Sequence, residues 1–408
     1  MSTSAPGSLA ASLAVSVDVS AIPEQPGGVG RYTTALVTTL GRRNDLELTL
    51  MARASDMERW SLVAPRARVM GVAPDPRPIR LIWEQARLPH VLANVAVAVH
   101  HSPHYTMPEV ASLPRVVTVH DLTMFDHPEW HERSKAVFFR RAVRVASAHA
   151  DVVICVSKAT AMRLATWCEP VGEVVVVPHG VDHARFQPAG DSGAGTAALE
   201  ALGVRQPYVG FLGTVEPRKD VPTLVRAFDK MCLAHPGLSL VIAGTPAWGE
   251  ADLAKAISES RHADRILRLG YVDEAAIPEL LRHSAAIAYP ALEEGFGLPV
   301  LEALACGAPL VTTSSTVMEE LADGAALLVK PGDADGLAGA LDMLVRRDAG
   351  LDFRRERGLA VAARYTWAAS ASGHIEAYRA AVGHWEAAGG SPVSPESRPV
   401  RGRLRAGD

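Results

Sequence analysis

The chain alternates short β-branched, apolar segments with segments of helical periodicity, and this alternation runs through it twice. Apolar strands separated by helices predict parallel sheets that are covered on both faces. The sequence therefore predicts an α/β fold with two doubly wound, Rossmann-like halves. The predicted strands are residues 14–20, 46–51, 95–100, 115–119, 152–156 and 174–177 in the first run, and 208–212, 239–243, 266–269, 286–289, 310–312 and 326–329 in the second. The predicted helices include residues 31–40, 78–93, 133–149, 158–167 and 222–231.

A stretch rich in glycine, alanine and proline, residues 188–196, separates the two runs. Two doubly wound halves joined in this way enclose a cleft, and their ligands bind beyond the carboxyl ends of the strands. The predicted organisation is a disordered N-terminus at 1–13, a first domain at 14–187, a linker at 188–200, a second domain at 201–366, a helix at 367–385 that returns toward the first domain, and a disordered tail at 386–408.

Composition excludes several classes of protein. The net charge of the 408 residues is −4, which provides no overall field to attract nucleic acid. The four cysteines lie far apart in sequence, as expected for reduced thiols in a cytoplasmic protein and not for a zinc or redox motif. No apolar run is long enough to span a membrane, and the first 13 residues lack the basic and apolar parts of a signal peptide. We therefore expect a cytoplasmic protein that binds no nucleic acid.

Residues 293–307 form a glycine-rich loop that runs into a short helix. Pro299 fits the first helical position and Gly307 fits the position just past the last turn. Gly295 and Gly297 have no Cβ, so a ligand can approach the backbone closely. The free N–H groups of Gly297 and Leu298, together with the helix dipole, suit an anion such as a diphosphate.

Two carboxylates frame this loop. We expect Glu294 to stand just before the helix and Glu302 to lie in its first turn. Carboxylates accept hydrogen bonds from hydroxyl groups, so the pair suggests a clamp on a polyhydroxylated ligand that carries phosphate, such as a nucleotide sugar. The alternative is that both glutamates are ordinary partners of the helix dipole.

The second half carries an adjacent basic pair, Arg218 and Lys219, after its first predicted strand. At the carboxyl end of a strand, arginine neutralises a pyrophosphate through a planar fork and lysine acts as a point charge. The alternative is a solvated loop pair.

In the first half, His120 and Asp121 end a predicted strand at the corresponding edge. The alternatives are a buried core histidine and an aspartate that caps the next turn.

The loop at 22–30, which contains Gly28, lacks the GxGxxG spacing of a dinucleotide site. His100, His101 and His104 lack the partners of a familiar zinc motif, so we expect no metal.

The two glutamates around Gly-Phe-Gly-Leu-Pro resemble the signature of the retaining glycosyltransferases of family 4, which have the GT-B fold. The resemblance covers about residues 14–382. It implies that Glu294 lies close to the transferred sugar and that Glu302 binds the ribose of the nucleotide. It implies that Arg218 and Lys219 bind the donor phosphates and stabilise the leaving group. It also implies that His120 contacts the sugar near the reaction centre.

Other positions follow from the same resemblance. The implied donor-binding residues are Gly28, Arg218, Lys219, Glu294, Gly295, Phe296, Gly297, Leu298 and Glu302, and the implied acceptor-side residues are Asp121, His104 and Glu84. Some members have an arginine where this chain has Thr214, so one phosphate contact is missing or replaced here.

The function implied is a retaining, metal-independent transfer of a hexose onto a glycan or lipid-linked acceptor, without a cofactor. The segment 125–130 resembles bacterial members that transfer mannose, which favours GDP-mannose as the donor. The alternatives are UDP-glucose or another nucleotide-sugar donor, a retaining glycoside hydrolase built on Glu294 and Glu302, and a non-catalytic nucleotide-sugar-binding protein.

The predicted helix at residues 133–149 is basic and amphipathic. Its arginines at 133, 140 and 144 fall on one side, and Ala136, Phe139 and Val143 fall on another. Such a helix usually packs its apolar face on the domain. If the acceptor is lipid-linked, the arginines also allow peripheral contact with an anionic membrane at the inner face of the cell membrane.

Overall fold

The computed structural model describes residues 12–189, 194–348 and 350–390. Residues 1–11 and 391–408, which contain most of the two segments predicted to be disordered, lie outside the described residues. The chain forms two parallel sheets, each covered by helices, as the alternation of apolar and amphipathic segments predicts. The predicted fold class is confirmed.

The first sheet has seven strands in the order β3-β2-β1-β4-β5-β6-β7, with every neighbouring pair parallel. Its central strands are fully buried, which explains their continuous apolar sequence. The strands are β1 (Leu13–Asp18), β2 (Leu46–Arg53), β3 (Arg68–Ala73), β4 (Val99–Ser102), β5 (Arg115–Val119), β6 (Val152–Cys155) and β7 (Glu173–Val176).

The second sheet has six strands in the order β10-β9-β8-β11-β12-β13, again all parallel. The strand order reverses beside β8, which places a topological switch point at the carboxyl ends of β8 and β11. The strands are β8 (Tyr208–Leu212), β9 (Ser239–Ala243), β10 (Ile266–Gly270), β11 (Ala286–Tyr289), β12 (Leu310–Thr313) and β13 (Leu327–Val329).

Helices follow nearly every strand. In the first half they are α1 (Gly28–Leu40), α2 (Met57–Val63), α3 (Arg77–Ala86), α4 (Leu88–Ala93), α5 (Thr123–Asp126), α6 (Arg133–His149) and α7 (Lys158–Trp167). In the second half they are α8 (Ala194–Ala201), α9 (Val221–Met231), α10 (Glu250–Glu259), α11 (Ile277–Arg282), α12 (Leu298–Ala305), α13 (Val317–Ala322), α14 (Ala334–Val345), α15 (Leu351–Ala363) and α16 (Trp367–Ala387).

Several predicted elements differ from the structure. The edge strand β3 was not predicted, because its half-exposed sequence contains Gly71 and lacks a buried apolar run. The helix predicted at 78–93 is two helices that meet at Arg87, because Pro89 begins a new first turn in α4. Helix α8 begins within the segment predicted as a linker, and α1 begins three residues before its predicted start.

The last helix belongs to the first sheet although it follows the second. Val181 pairs with Thr366 at the point where the chain crosses between the halves, and the Val181 N–H donates to the Tyr365 carbonyl at 3.1 Å. Helix α16 then contacts α1 and strands β4, β5 and β6. Ala371, Ile375 and Tyr378 are buried in the same core as the valines of β1.

Helix α6 packs its apolar face inward, since Ala136 and Val143 are buried. Arg140 does not point freely into solvent, because its Nε donates to the Met124 carbonyl at 2.6 Å. The guanidinium of Arg144 lies 5.4 Å from the centre of the Phe125 ring. In the described part of the chain, no helix is both long and apolar enough to cross a bilayer.

Candidate active site

The helix N-terminus predicted around residue 297 is present. Gly297 is the N-cap of α12 with a φ of 96°, a conformation that favours glycine. Pro299 occupies the second helical position and not the first, because the helix begins at Leu298. Among the described residues, the main-chain N–H groups of Gly297 and Leu298 donate to no acceptor, so they remain available to an anion. Gly307, with a φ of 68°, follows the last turn as predicted.

The missing Cβ of Gly295 serves a contact within the protein. A Cβ built on Gly295 would lie 1.7 Å from the carbonyl oxygen of His120, so only glycine permits this approach. The Gly295 carbonyl accepts hydrogen bonds from the Ser157 hydroxyl at 2.7 Å and the Thr160 hydroxyl at 3.2 Å. Gly295 therefore joins the two halves, and the His120 carbonyl occupies the space that its missing Cβ leaves; donor binding by Gly295 stays a prediction. The Phe296 ring is likewise buried, against His179.

Glu294 lies between the two predicted cations. Its Oε2 is 2.6 Å from Nη1 of Arg218, and its Oε1 pairs with the Lys219 ammonium. The hydroxyl of Tyr289, at the end of β11, also donates to Glu294 at 2.7 Å. On its other side, Arg218 donates from Nε to Glu216 at 2.7 Å. Arg218 and Glu294 are 76 positions apart in sequence, and the carboxyl ends of β8 and β11 bring them together.

Burial shapes the charge of this cluster. Burial and the neighbouring Arg218 hold the pKa of the Lys219 ammonium well below its usual value. Burial lowers the pKa of Arg218, but Glu216 and Asp121 outweigh it, so that the pKa is raised overall. The site therefore keeps a permanent guanidinium beside a lysine that gains strongly from an added anion.

His120 is held in one tautomer. Its Nε2 lies 2.7 Å from the carbonyl oxygen of Pro103, and a carbonyl can only accept, so Nε2 carries the proton. Burial lowers the pKa of His120 to about 4, which keeps the ring neutral at pH 7. Nδ1 then has a free lone pair and can accept a hydrogen bond from a hydroxyl. The predicted alternative of a buried histidine holds as a description of its environment, since the residue is 7% exposed.

Asp121 caps the turn that follows it, which was the alternative to a site role. Its Oδ1 accepts from the Thr123 N–H at 3.0 Å and from the Thr123 hydroxyl at 2.7 Å. Burial raises the pKa of Asp121, but Arg218 and these hydrogen bonds bring it below its usual value. Asp121 of the first half and Arg218 of the second thus interact electrostatically across the cleft.

Glu302 lies in the second turn of α12 and not in the first as predicted, because the helix begins at Leu298. It also has a partner that the sequence did not reveal. Arg31, in the first turn of α1, forms an ion pair with Glu302 across the cleft. Burial raises the pKa of Glu302, and Arg31 opposes this shift. Nε of Arg31 lies 3.7 Å from Glu274, which in turn pairs with Arg185 at 2.6 Å. In the sequence, the only indication that Arg31 belongs to the site was its position directly after the loop at 22–30.

A second ion pair that the sequence did not reveal also joins the two halves. Arg163 of α7 pairs with Glu293, and the His127 Nε2 lies 3.6 Å from the same carboxylate. Glu293 therefore links the loop before α12 to the first half. In both cases an arginine of the first half neutralises a carboxylate of the second.

The remaining predicted residues do not join this cluster directly. Gly28 is exposed at the start of α1, with no atom within 4 Å of a Cβ built on it. Glu84 is buried and accepts from the Thr106 hydroxyl at 2.8 Å. Glu84 lines a cavity of 480 Å³ between α3 and α6. Burial raises the pKa of Glu84 to about 7, and burial lowers the pKa of the half-buried His104.

No set of three or more histidine, cysteine, aspartate or glutamate side chains in the described ranges is arranged to hold a metal ion.

Two family models match the chain. The model described as Glycosyltransferase Family 4 matches residues 26–185, and the model described as Glycosyl transferases group 1 matches residues 193–357. Together these ranges cover the two domains described above, with the crossing segment between them.

Individual relatives agree with these matches. O-antigen chain mannosyltransferase B of Escherichia coli is 25% identical over 369 residues, which are 86% of this chain and 96% of that protein. D-inositol 3-phosphate glycosyltransferase of Nocardia farcinica is 31% identical over 241 residues, 57% of this chain and 52% of that protein. The chain thus spans about half the length of this second relative. The solved structure of HepE from Anabaena in complex with UDP-glucose has a TM-score of 0.68 at 18% identity, covering 92% of this chain and 100% of that one.

Two facing doubly wound domains, with a helix N-terminus and buried cations at their cleft, define the GT-B class of glycosyltransferases. The family matches make the assignment specific, and the chain belongs to the group 1, family 4 glycosyltransferases. It is a hexosyltransferase.

Proposed function

We propose that the protein transfers mannose from GDP-mannose, with retention of configuration and without a metal, to a glycan or lipid-linked acceptor. The observation that carries this proposal is the placement of Glu294, Arg218 and Lys219 opposite His120, in a cleft where Gly295 contacts the His120 carbonyl. The name of the Escherichia coli relative supports mannose. The UDP-glucose bound to HepE supports the alternative donor.

The roles proposed for these residues follow from their charges. Arg218 and Lys219 hold the diphosphate and stabilise the negative charge that develops on the leaving nucleoside diphosphate. The N–H groups of Gly297 and Leu298 add a second set of donors for the same anion. Nδ1 of neutral His120 accepts a hydrogen bond from a hydroxyl of the transferred sugar and so fixes the orientation of the sugar ring. A hydroxyl group of the acceptor then attacks the anomeric carbon of the sugar from the side on which the nucleoside diphosphate departs.

We place the acceptor near Glu84, in the cavity between α3 and α6. The cavity walls are mainly apolar, with Phe138, Ala142 and Val145 on the α6 side, while Glu84 and Thr106 provide hydrogen-bonding groups. A carboxyl group whose pKa lies near 7 can donate as well as accept a hydrogen bond, which suits a sugar hydroxyl. Glu84→Gln should therefore raise the KM for the acceptor more than the KM for the donor.

The hydrolase alternative fits the contacts less well. Retaining hydrolysis needs two carboxylates that flank one bond and are free to act as nucleophile and acid. Glu294 is engaged by Arg218 and Lys219, and Glu302 is engaged by Arg31. A buried basic pair also has no task in hydrolysis of a neutral glycoside.

A donor panel tests the proposal. The purified enzyme is incubated with GDP-mannose, UDP-glucose and related donors, with lipid-linked glycans as acceptors, in buffer with and without EDTA. We expect GDP-mannose to be consumed fastest, the product to keep the anomeric configuration of the donor in NMR spectra, and EDTA to leave the rate unchanged. Preference for UDP-glucose would replace the donor assignment. Release of sugar from aryl glycosides without any nucleotide would favour the hydrolase.

A further inference from the structure

A continuous chain of buried hydrogen bonds connects the C-terminal helix to the first sheet. Its members are the side chains of Tyr378 and His374 on α16, His101 on β4, Thr118 on β5 and Tyr32 on α1. All five residues are fully buried, with a relative exposure of 0% each. The chain starts and ends on α16, so it ties three elements of the first half to the last helix.

The direction of every bond in this chain is fixed. Nδ1 of His374 must donate to the Ser370 carbonyl at 2.7 Å, because a carbonyl only accepts. Nε2 of His374 then accepts from the Tyr32 hydroxyl at 2.8 Å. Because the Tyr32 proton is used in this way, its oxygen accepts from the Thr118 hydroxyl at 3.0 Å.

The remaining bonds follow from the Thr118 hydroxyl. Its oxygen accepts from Nε2 of His101 at 2.8 Å, and Nδ1 of His101 accepts from the Tyr378 hydroxyl at 2.8 Å. Burial lowers the pKa of His374 to about 4 and that of His101 well below its usual value, so both rings are neutral at pH 7. Hydrogen bonds that all run in one direction polarise and strengthen one another.

One internal member of this chain of hydrogen bonds, Tyr32, lies beside the candidate reaction centre. The Tyr32 ring meets the His120 ring edge to face, with centroids 4.9 Å apart, and Tyr105 approaches His120 at 5.8 Å in the same manner. The Tyr32 ring also lies 4.6 Å from His179. The hydroxyl of Tyr32 is fixed by His374, so the ring that supports His120 is held by the last helix.

We propose that His374 is a positioning residue, which acts through the Tyr32 ring to hold the His120 imidazole in the orientation that transfer requires. The proposal rests on the function proposed above for His120. The His374 side chain does not touch the substrate. Its contribution is rigidity, because a misplaced contact to the transferred sugar slows the reaction more than it weakens binding of the nucleotide.

Two substitutions at one position separate positioning from stability. His374→Gln places an amide oxygen where Nε2 stood, and it keeps the acceptor for Tyr32 while losing the bond to the Ser370 carbonyl. His374→Asn keeps a donor for Ser370 and loses the bond to Tyr32. Both remove the imidazole from the same buried site, so a purely structural role predicts similar losses in both.

We expect His374→Asn to lower kcat by about ten- to a hundredfold and His374→Gln to lower it much less. Tyr32→Phe should behave like His374→Asn, and the Kd for nucleoside diphosphate should not change in any of the three. Tyr208→Phe is the matched control, because it removes one hydroxyl bond, to the Leu280 carbonyl at 2.8 Å, from an equally buried ring in the other sheet. Its kcat should stay at the wild-type value.

A spectroscopic measurement keeps the outcome independent of activity. In 1H–15N spectra of histidine-labelled protein, the His120 imidazole signals should broaden or shift in His374→Asn and remain in place in Tyr208→Phe. Equal kcat values for the Gln and Asn variants, with unchanged His120 signals, would overturn the proposal. Altered His120 signals together with full activity in His120→Ala would contradict the role of His120 and leave its positioning by His374 standing.

Discussion

Arg31 of α1 and Glu302 of α12 are 271 residues apart in sequence, and they form an ion pair across the cleft. The carboxylate expected to bind ribose is therefore already neutralised by a guanidinium from the other half. A nucleotide that takes both oxygens of Glu302 must displace Arg31 from Oε1, so the ion pair competes with the donor.

The competition predicts opposite effects at the two positions. Glu302→Ala should weaken nucleoside binding by about 1.5–3 kcal/mol, because the ribose hydroxyls lose a charged acceptor. Arg31→Ala should strengthen it, because the competing cation is gone. Calorimetry with the nucleoside measures both. Arg43→Ala is the control, since Arg43 lies just past the other end of α1 and pairs with Asp45 at 2.8 Å. Weaker binding in both Arg31→Ala and Glu302→Ala would contradict the competition.

The basic pair should act on the leaving group. Arg218→Ala and Lys219→Ala should each reduce kcat/KM by about 10²–10³, the range found for preorganised charge stabilisers. Both should also weaken binding of free nucleoside diphosphate, which steady-state kinetics and calorimetry measure separately. Arg226→Ala removes an exposed cation of α9 and should change neither value. Activity within a few-fold of wild type in both variants would show that the pair does not act on the phosphates.

His120→Ala should slow transfer while nucleoside diphosphate affinity stays nearly unchanged, because its Nδ1 faces the sugar in the proposed arrangement. Single-turnover kinetics and calorimetry distinguish the two effects. A collapsed melting temperature in this variant would instead assign His120 a role in the core only.

Buried histidines predict a loss of stability in acid. His100, His120 and His374 have pKa values of about 4 because of burial, against an unfolded value of 6.5. A lowered histidine pKa contributes stability that is complete above pH 6.5 and lost as the pH falls toward 4, at about 1.4 kcal/mol per pH unit for each histidine. Glu84 acts in the opposite direction, because its pKa is raised to about 7.

Urea unfolding between pH 7 and pH 4.5 measures this dependence. The free energy of unfolding should fall with pH, and the slope should be shallower in His100→Gln and steeper in Glu84→Gln. A slope in His100→Gln equal to that of the wild type would show that His100 titrates normally.

Peripheral contact with an anionic membrane remains a proposal, and substitutions in α6 test it. Arg133 and Arg141 are exposed, with Arg141 also paired with Glu109, whereas Arg140 is tied to the Met124 carbonyl. We expect sedimentation with anionic liposomes at low salt, weakened at high salt and by replacing Arg133 and Arg141 with Gln, since each charge near the surface contributes about 1 kcal/mol. Arg226→Gln should have no effect. No sedimentation at low salt would remove the membrane from the proposal.

The sequence predicted most strands because their signal is local. A buried parallel strand is a short apolar run in any context, and both sheets consist largely of such runs. Strand β3 escaped prediction because it lies at an edge and is only half buried. The helix start at Gly297 was also predictable, since glycine and proline mark backbone geometry directly.

The cross-domain contacts were not predictable in this way. Nothing near Gly295 in sequence indicates that the His120 carbonyl fills the space of its missing Cβ. The pairing of Arg31 with Glu302 depends on how two domains face each other. Motifs identified the carboxylates and cations of the site, but only the assembled fold shows which of them already neutralise one another.

The attachment of α16 to the first sheet reverses the usual order in which domains fold as they leave the ribosome. Domains generally fold as they emerge, N-terminal first. Here the core of the N-terminal sheet includes Ala371, Ile375, Tyr378 and Ala381, so it is incomplete until α16 has been synthesised. The core of the C-terminal sheet contains no residue of α16. It can therefore close first, and a nascent chain halted before residue 367 exposes the surface that α16 covers.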